Sequence, residues 1–448
     1  MAQFDSGLLE RLSRAPDPRA WPRWALAVLA VAVPSQALAV WRVGGQLPPG
    51  TRPPTRDSII FEYIGWYLTR GGRLYVDVWE IKPPLPYEIT GLLAWLAGGD
   101  PLITHALNVL LTAGAAIGVA LAAGLLVDDL TGAPTATFAA GMALYVVPAF
   151  HWRAAFGFKV KYFVAAGALL AIYLARQERP GLAGVLAGAA VGFWQLAIIV
   201  PALVLGVVAR RTGRSGLKRA IAGTAGVVVM MLLPVLYWGA LEAMLTETVL
   251  VPLLVGPGLG SGSPLEVIYR TLGVASLIAF FGLIGVVVAT WHRPRETWWL
   301  AAGTAWFGLQ VLLIDLDGGP DLFPLLAFLA VGIGLLLGFE SGRQRPAALL
   351  LAVLAITSVV TMGGFGVGDG PLREPSALVY DDERALTVPY GPIERDLLFW
   401  RGVEPETCRV FFGRTQYQLV QRTDGTALQR ECGQAGPVLE ALGRSWLS

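Results

Sequence analysis

TRDSIIFEYIGWYLTRGGRLYVDVWEIKPPLPYEIT, residues 55–90, is where polar and charged side chains gather between two apolar runs of this chain. Upstream, RLSRAPDPRAWPRW (11–24) sets four arginines before an apolar run at 24–40. That run has no small-residue cleavage site and is long enough to span a bilayer. The positive-inside rule then keeps residues 1–23 in the cytoplasm and puts the polar loop 43–83 outside. Downstream, apolar segments follow near 84–98, 101–127, 132–150, 158–175, 181–209, 220–240, 271–290, 298–316, 322–338 and 347–363. With the first run they make eleven helices, N-terminus in and C-terminus out. The arginine-rich loops 210–219, 292–296 and 341–345 read as cytoplasmic; 242–270 and 315–321 are acidic and read as external.

Composition agrees. A length of 448 residues suggests two or three soluble domains, but 55% hydrophobic against 15% charged residues, with 15 Trp and 54 Gly, overrules that prior. The chain reads as an all-α polytopic membrane protein, which excludes a soluble enzyme, a nucleic-acid binder and a disordered scaffold. The parity of the first half has two versions. Segment 181–209 carries Trp194-Gln195 at its centre. If it is a pair of half-helices meeting near Gln195, both its ends are cytoplasmic, HWRAAFGFKVK (151–161) is external, and 84–98 is no full span. Arg176 and Arg179 favour that version, whereas Arg153, Lys159 and Lys161 favour the other.

The membrane domain covers 24–363, and 364–448 form a small external α/β domain of ordinary soluble composition. Within it a helix near 394–401, a strand at 409–412 and helices near 415–422 and 437–447 are expected. Cys408 and Cys432 could close a disulfide loop worth about 3 kcal/mol. Two unpaired buried thiols are the other reading.

In the loop, residues 58–70 read as an amphipathic, aromatic-rich helix lying in the membrane interface and stopped by Gly71-Gly72. Asp57 stands at its N-cap position, where capping alone would explain it. Asp57 and Glu62 are about 140° apart around a helix and do not share a face. Lys82, before Pro83-Pro84, either donates to a phosphate or extends along the interface. His105 and His151 read as isolated structural histidines, and Gly184, Gly188 and Gly192 as a helix-packing series.

An Asp opening a helix, then aromatics, Gly-Gly, an acid and KPPLPY resembles the first-loop signature of GT-C glycosyltransferases. FEYIGWYLTRGGRLYVDVWEIKPP (61–84) is most similar to the archaeal branch that uses dolichyl-phosphate-mannose, a relative of protein O-mannosyltransferases and lipid A aminoarabinose transferases. GVLAGAAVGFWQ (184–195) and GGPDLFPLLAFLAVG (318–332) extend the resemblance over the membrane part. It implies a GT-C-like bundle, the broken version of 181–209, and transfer of a sugar, mannose by resemblance, from a dolichyl-phosphate donor to a glycan or glycoprotein at the outer face of the cell membrane. It implies Asp57 as the base that activates the acceptor hydroxyl and Lys82 as the holder of the lipid phosphate, with Glu80 beside it. Many relatives carry a second acid directly after the first, where this chain has Ser58; support then falls to Glu62 or Asp77. Gln195 stands where several relatives place a lysine near the donor.

Breaking a sugar–phosphate bond needs donors on the leaving phosphate and a carboxylate at the attacking hydroxyl. If 151–161 is external, Arg153, Lys159 and Lys161 add positive charge there; otherwise they only set topology. No nucleotide or metal cofactor is expected, and Asp315, Asp317 and Asp321 read as turn residues. The rival function is a transporter or flippase for a lipid-linked sugar. It calls for inverted repeats and mid-membrane charges, whereas here the polar residues gather at one external edge.

Overall fold

The helices begin and end at local signals written into the chain. This computed structural model describes residues 22–44, 58–255, 276–313, 319–339, 344–361, 399–400, 402, 404 and 410–411. Helix α1 is Arg23–Gly44, followed by α2 at Ser58–Leu68 and α3 at Leu85–Leu96. The longest regular helix, α4 (Pro101–Thr131), opens on Asp100, whose carboxylate accepts the Ile103 amide at 2.9 Å. It closes on Gly132 at φ 62, the left-handed position that glycine fills without strain. Helices α5 (Pro134–Tyr145), α6 (Val160–Arg176), α7 (Pro180–Phe193) and α8 (Ile199–Tyr237) follow. The last four are α9 (Ser276–His292), α10 (Pro294–Leu313), α11 (Phe323–Phe339) and α12 (Gln344–Thr361). Apart from α2, which lies in the first polar loop, they fall on the apolar segments of the sequence, α8 also running through the arginine-rich stretch 210–219, and one buried aliphatic and aromatic core runs through them.

Three breaks shape the bundle. Pro148–Phe156 meets α6 at 119°, so the chain makes a corner through Gly157. Trp194 is extended (φ −156, ψ 118), which ends α7 before the single turn Gln195–Ile198. Gly213 (φ 63, ψ −153) interrupts α8. Past that break α8 returns alongside α7 in the same direction: Gly184 and Gly188 abut Ala220 and Thr224, and Gly192 abuts Met231. The 181–209 stretch is therefore two half-helices meeting beside Gln195. The glycine series is the packing seam of α7 on the second half of α8, with the Thr224 hydroxyl donating to the Gly184 carbonyl at 3.0 Å.

The arginine-rich ends collect together. Arg176 pairs with Asp129 at 2.5 Å, Arg293 donates to the Leu130 carbonyl at 2.9 Å, and Arg210 to the Arg295 carbonyl at 3.2 Å. The first loop, the 157–161 corner and the α7–α8 break occupy the opposite end. At twelve residues α3 is too short to cross a bilayer, as the broken version requires.

One expectation changes and another is met. Helix α2 is not a half-exposed interfacial helix, because every residue from Ser58 to Tyr67 is buried. Protein covers it: the α3 crossing brings Thr90 Oγ1 to donate to the Phe61 carbonyl at 2.8 Å, and Tyr63 meets Phe399 edge-on. The expected tail strand is present as β2 (Val410–Phe411). It pairs in parallel with β1 (Val78–Trp79) in the first loop, Val78 opposite Val410 and Trp79 opposite Phe411. Asp57, Asp315, Asp317, Cys408 and Cys432 lie outside the described residues.

Candidate active site

The loop after α2 is held by its own turns before it reaches the bundle. Gly71 takes φ +91, and the Gly72 amide returns to the Tyr67 carbonyl at 3.1 Å. Asp77 accepts from Arg73 Nε at 3.1 Å, Nη2 at 3.0 Å and the Arg73 amide at 2.8 Å. This charge-assisted fork closes the 73–77 turn and commits Asp77 to structure. Tyr75, inside that turn, sits at φ 63 although it is not glycine, a conformation that costs on the order of 1 kcal/mol or more. Its hydroxyl donates to the Lys82 carbonyl at 2.6 Å. Burial first, then the charges of Glu247, Glu80 and Glu88, raise the Tyr75 phenol well above its ordinary value, so it stays a protonated donor.

Glu80, fully buried, accepts the Ile81 amide at 2.8 Å and stands 3.6 Å from Lys82 Nζ. Gln195 reaches in from the α7–α8 break and donates to the Ile81 carbonyl at 3.0 Å. The side chain of Lys82 keeps 24% of its surface exposed, and its ammonium lies 5.2 Å from the Phe61 ring centre. Phe61 packs on Phe158 at 5.5 Å, and Phe158 on Phe193 at 6.3 Å. Next in the chain, Trp194 carries the Lys161 ammonium over its ring, while Lys161 also pairs with Asp321 at 3.1 Å. Lys82 thus stands at the Phe61 end of an aromatic floor of Phe61, Phe158 and Phe193, and Lys161 over Trp194, the residue that follows Phe193 in the chain.

Glu62 is buried at the corner. Its carboxylate accepts the Phe158 amide at 3.0 Å and meets His105 Nδ1 at 2.8 Å. His105 is therefore a partnered structural histidine, and Trp400 closes over it edge-on at 5.4 Å. By fixing Phe158, Glu62 sets where Lys159 begins; Lys159 is itself buried. Arg153 stacks over Trp152 at 4.6 Å, beside α1 rather than on the aromatic floor. His151 Nε2 lies 3.3 Å from the Ser358 hydroxyl.

One residue that the sequence reading passed over joins the cluster. Glu247, 2% exposed, lies in the π-helical turn Thr246–Leu250 and accepts the Glu80 amide at 3.1 Å. Its signal in the sequence was TET (246–248) set inside an apolar run. Chemically, the site offers a partly open ammonium on an apolar aromatic floor, a setting for a phosphate attached to a hydrocarbon chain.

A family model described as DolP-mannose mannosyltransferase matches residues 71–233, from the Gly-Gly turn into the second half of α8. The dolichol phosphate-mannose mannosyltransferase of Haloferax volcanii is 30% identical over 416 residues, 84% of this chain and 90% of that one. Among solved structures, ArnT from Cupriavidus metallidurans, bound to undecaprenyl phosphate, superposes with a TM-score of 0.53 at 16% identity, over 95% of this chain and 75% of that one. The oligosaccharyltransferase AglB of Archaeoglobus fulgidus, in complex with an inhibitory peptide and a dolichol-phosphate, gives 0.52 at 12% identity over 86% of this chain. This chain spans 60% of AglB's length. At such identities the two structures show the shared GT-C fold. The Haloferax relative shows more: the chain belongs to the dolichol phosphate-mannose mannosyltransferase family and is a multi-pass membrane glycosyltransferase.

Proposed function

We propose that the chain moves mannose from dolichyl-phosphate-mannose to a glycan or protein hydroxyl at the outer face of the cell membrane. The observation that carries this reading is Lys82, held with a quarter of its side chain open above the aromatic floor. As the sugar–phosphate bond breaks, negative charge grows on the departing dolichyl phosphate, and the Lys82 ammonium stabilises it as a point charge. Lys161 and Lys159 add positive potential from the 157–161 corner, and Arg153 adds a more distant contribution. Asp57, one residue before α2, takes the proton of the attacking hydroxyl. Glu80 and Gln195 support Lys82, and Glu62 supports the corner; Asp77 acts only through its turn.

The arrangement in the membrane follows the arginines. About eleven spans place residues 1–23 in the cytoplasm with the arginine-rich end, and the loop 43–83 outside. The C-terminal domain, 364–448, lies outside with that loop, where Cys408 and Cys432 pair. Pairing of β2 with β1 supports a tail on the loop side. The test is mass spectrometry of surface glycans and glycoproteins from a deletion strain, alongside binding of dolichyl-phosphate-mannose to the purified protein. Loss of one mannose with donor binding is expected. Unchanged glycans together with no donor binding would overturn the proposal.

A further inference from the structure

Glu80, Ile81 and Lys82 are gripped by parts of the chain that lie far apart in sequence. Glu247, from the π-turn, accepts the Glu80 amide at 3.1 Å. Gln195, from the α7–α8 break, donates to the Ile81 carbonyl at 3.0 Å and to the Thr248 carbonyl at 3.4 Å, so it ties the π-turn to the same loop. Tyr75 donates to the Lys82 carbonyl at 2.6 Å. The Glu80 carboxylate takes the Ile81 amide at 2.8 Å. Pro83 and Pro84 then carry the chain into α3 with fixed φ angles and no amide donors left to satisfy.

This is more than ordinary loop packing requires. A short turn can satisfy its amides with neighbouring backbone or water, without burying a carboxylate. Here a glutamate with 2% exposure is kept in an apolar run, where an acid is costly unless it is bonded. The run is distorted into a π-helical turn at that place, a distortion frequent at functional sites. A lysine stem has four rotatable bonds, so its ammonium is only as well placed as the backbone beneath it. Fixing that backbone in advance raises the fraction of time the charge spends at its target.

We infer that Glu247 is a positioning residue: with Tyr75 and Gln195 it clamps residues 80–82 so that Lys82 meets the lipid phosphate from a fixed backbone. The inference rests on the reading of Lys82 as the phosphate holder. It assigns Glu247 no contact with the substrate, and it separates Glu80, the counter-charge of Lys82, from Glu247, the anchor of its backbone.

The test measures binding of dolichyl phosphate and of phosphate-free dolichol to the purified full-length protein in detergent, per folded molecule. Lys82→Ala should weaken dolichyl phosphate about tenfold and leave dolichol unchanged. Glu247→Ala and Tyr75→Phe should each weaken dolichyl phosphate by about three- to tenfold, again without affecting dolichol. Glu247→Gln, whose amide oxygen still accepts the Glu80 N–H, should stay within about twofold of wild type. In the double variant Lys82→Ala/Glu247→Ala the losses should not add, because both act on one ammonium.

Equal loss of both lipids in Glu247→Ala, or additive losses in the double variant, would overturn the clamp and leave packing as the role of Glu247. If Lys82→Ala binds dolichyl phosphate normally, the phosphate reading itself fails. If Lys82→Ala loses binding and Glu247→Ala does not, the clamp alone fails. Should Glu247→Ala not fold, Tyr75→Phe decides, since it deletes one hydroxyl and no packing volume.

Discussion

A methyl group added to Gly157 would land 2.0 Å from Glu62 Oε1, and the residue already sits at φ +107. Gly157→Ala should therefore cost at least about 2 kcal/mol and push Glu62 off the Phe158 amide. Gly132→Ala, at φ +62 but with open space around it, should cost only about 1 kcal/mol. Thermal unfolding of both variants in detergent checks the difference, and equal midpoints would contradict it. At Asp57, Asn caps a helix about as well as Asp, so Asp57→Asn should fold normally while turnover falls by roughly 10²–10⁴-fold. An Asp57→Asn enzyme with full activity per folded molecule would remove it from the chemistry. Several of these residues were legible because KPP and the acid before it have a recognisable pattern, and Gln195 interrupts an apolar run. Glu247 was not, because its partner is a backbone amide in a distant loop, and amides carry no signature in sequence.

At the scale of elements, the α7–α8 seam makes the clearest demand. A Cβ on Gly184 would stand 2.0 Å from the Ala220 carbonyl oxygen, whereas one on Gly181 would meet nothing within 4 Å. Gly184→Ala should thus separate the helices and cost about 1–3 kcal/mol, while Gly181→Ala should be silent. The yield of folded protein and its melting temperature measure both. Most of the helices were readable because they are apolar runs bounded by proline, glycine or arginine; α8 was not read as one element, since it runs through the charged stretch 210–219. The burial of α2 was not. Its sequence alternates aromatics with Glu62, which looks two-faced, but Glu62 faces protein and finds His105 and the Phe158 amide there. Hydrophobic period reports which side chains avoid water, and a buried carboxylate with its hydrogen-bond partners hides from it.

At the scale of the whole molecule, the proposed scheme meets phosphate charge with side-chain ammonium groups, and the sequence carries no nucleotide-binding loop. Turnover in excess chelator should equal that without it; strict dependence on added Mg²⁺ or Mn²⁺ would overturn the lysine-based scheme. The small parallel pair of Val78–Trp79 with Val410–Phe411 and the cover of Phe399 and Trp400 over α2 and His105 reach further still. They join an early part of the chain to a late one. A ribosome that has delivered the loop still has most of the protein to make, which takes on the order of tens of seconds. Through that interval α2 waits without its lid. A polypeptide released before residues 399–411 are made, however well it sits in the bilayer, therefore carries a first loop without the strand and the aromatic cover that come from the later part of the chain.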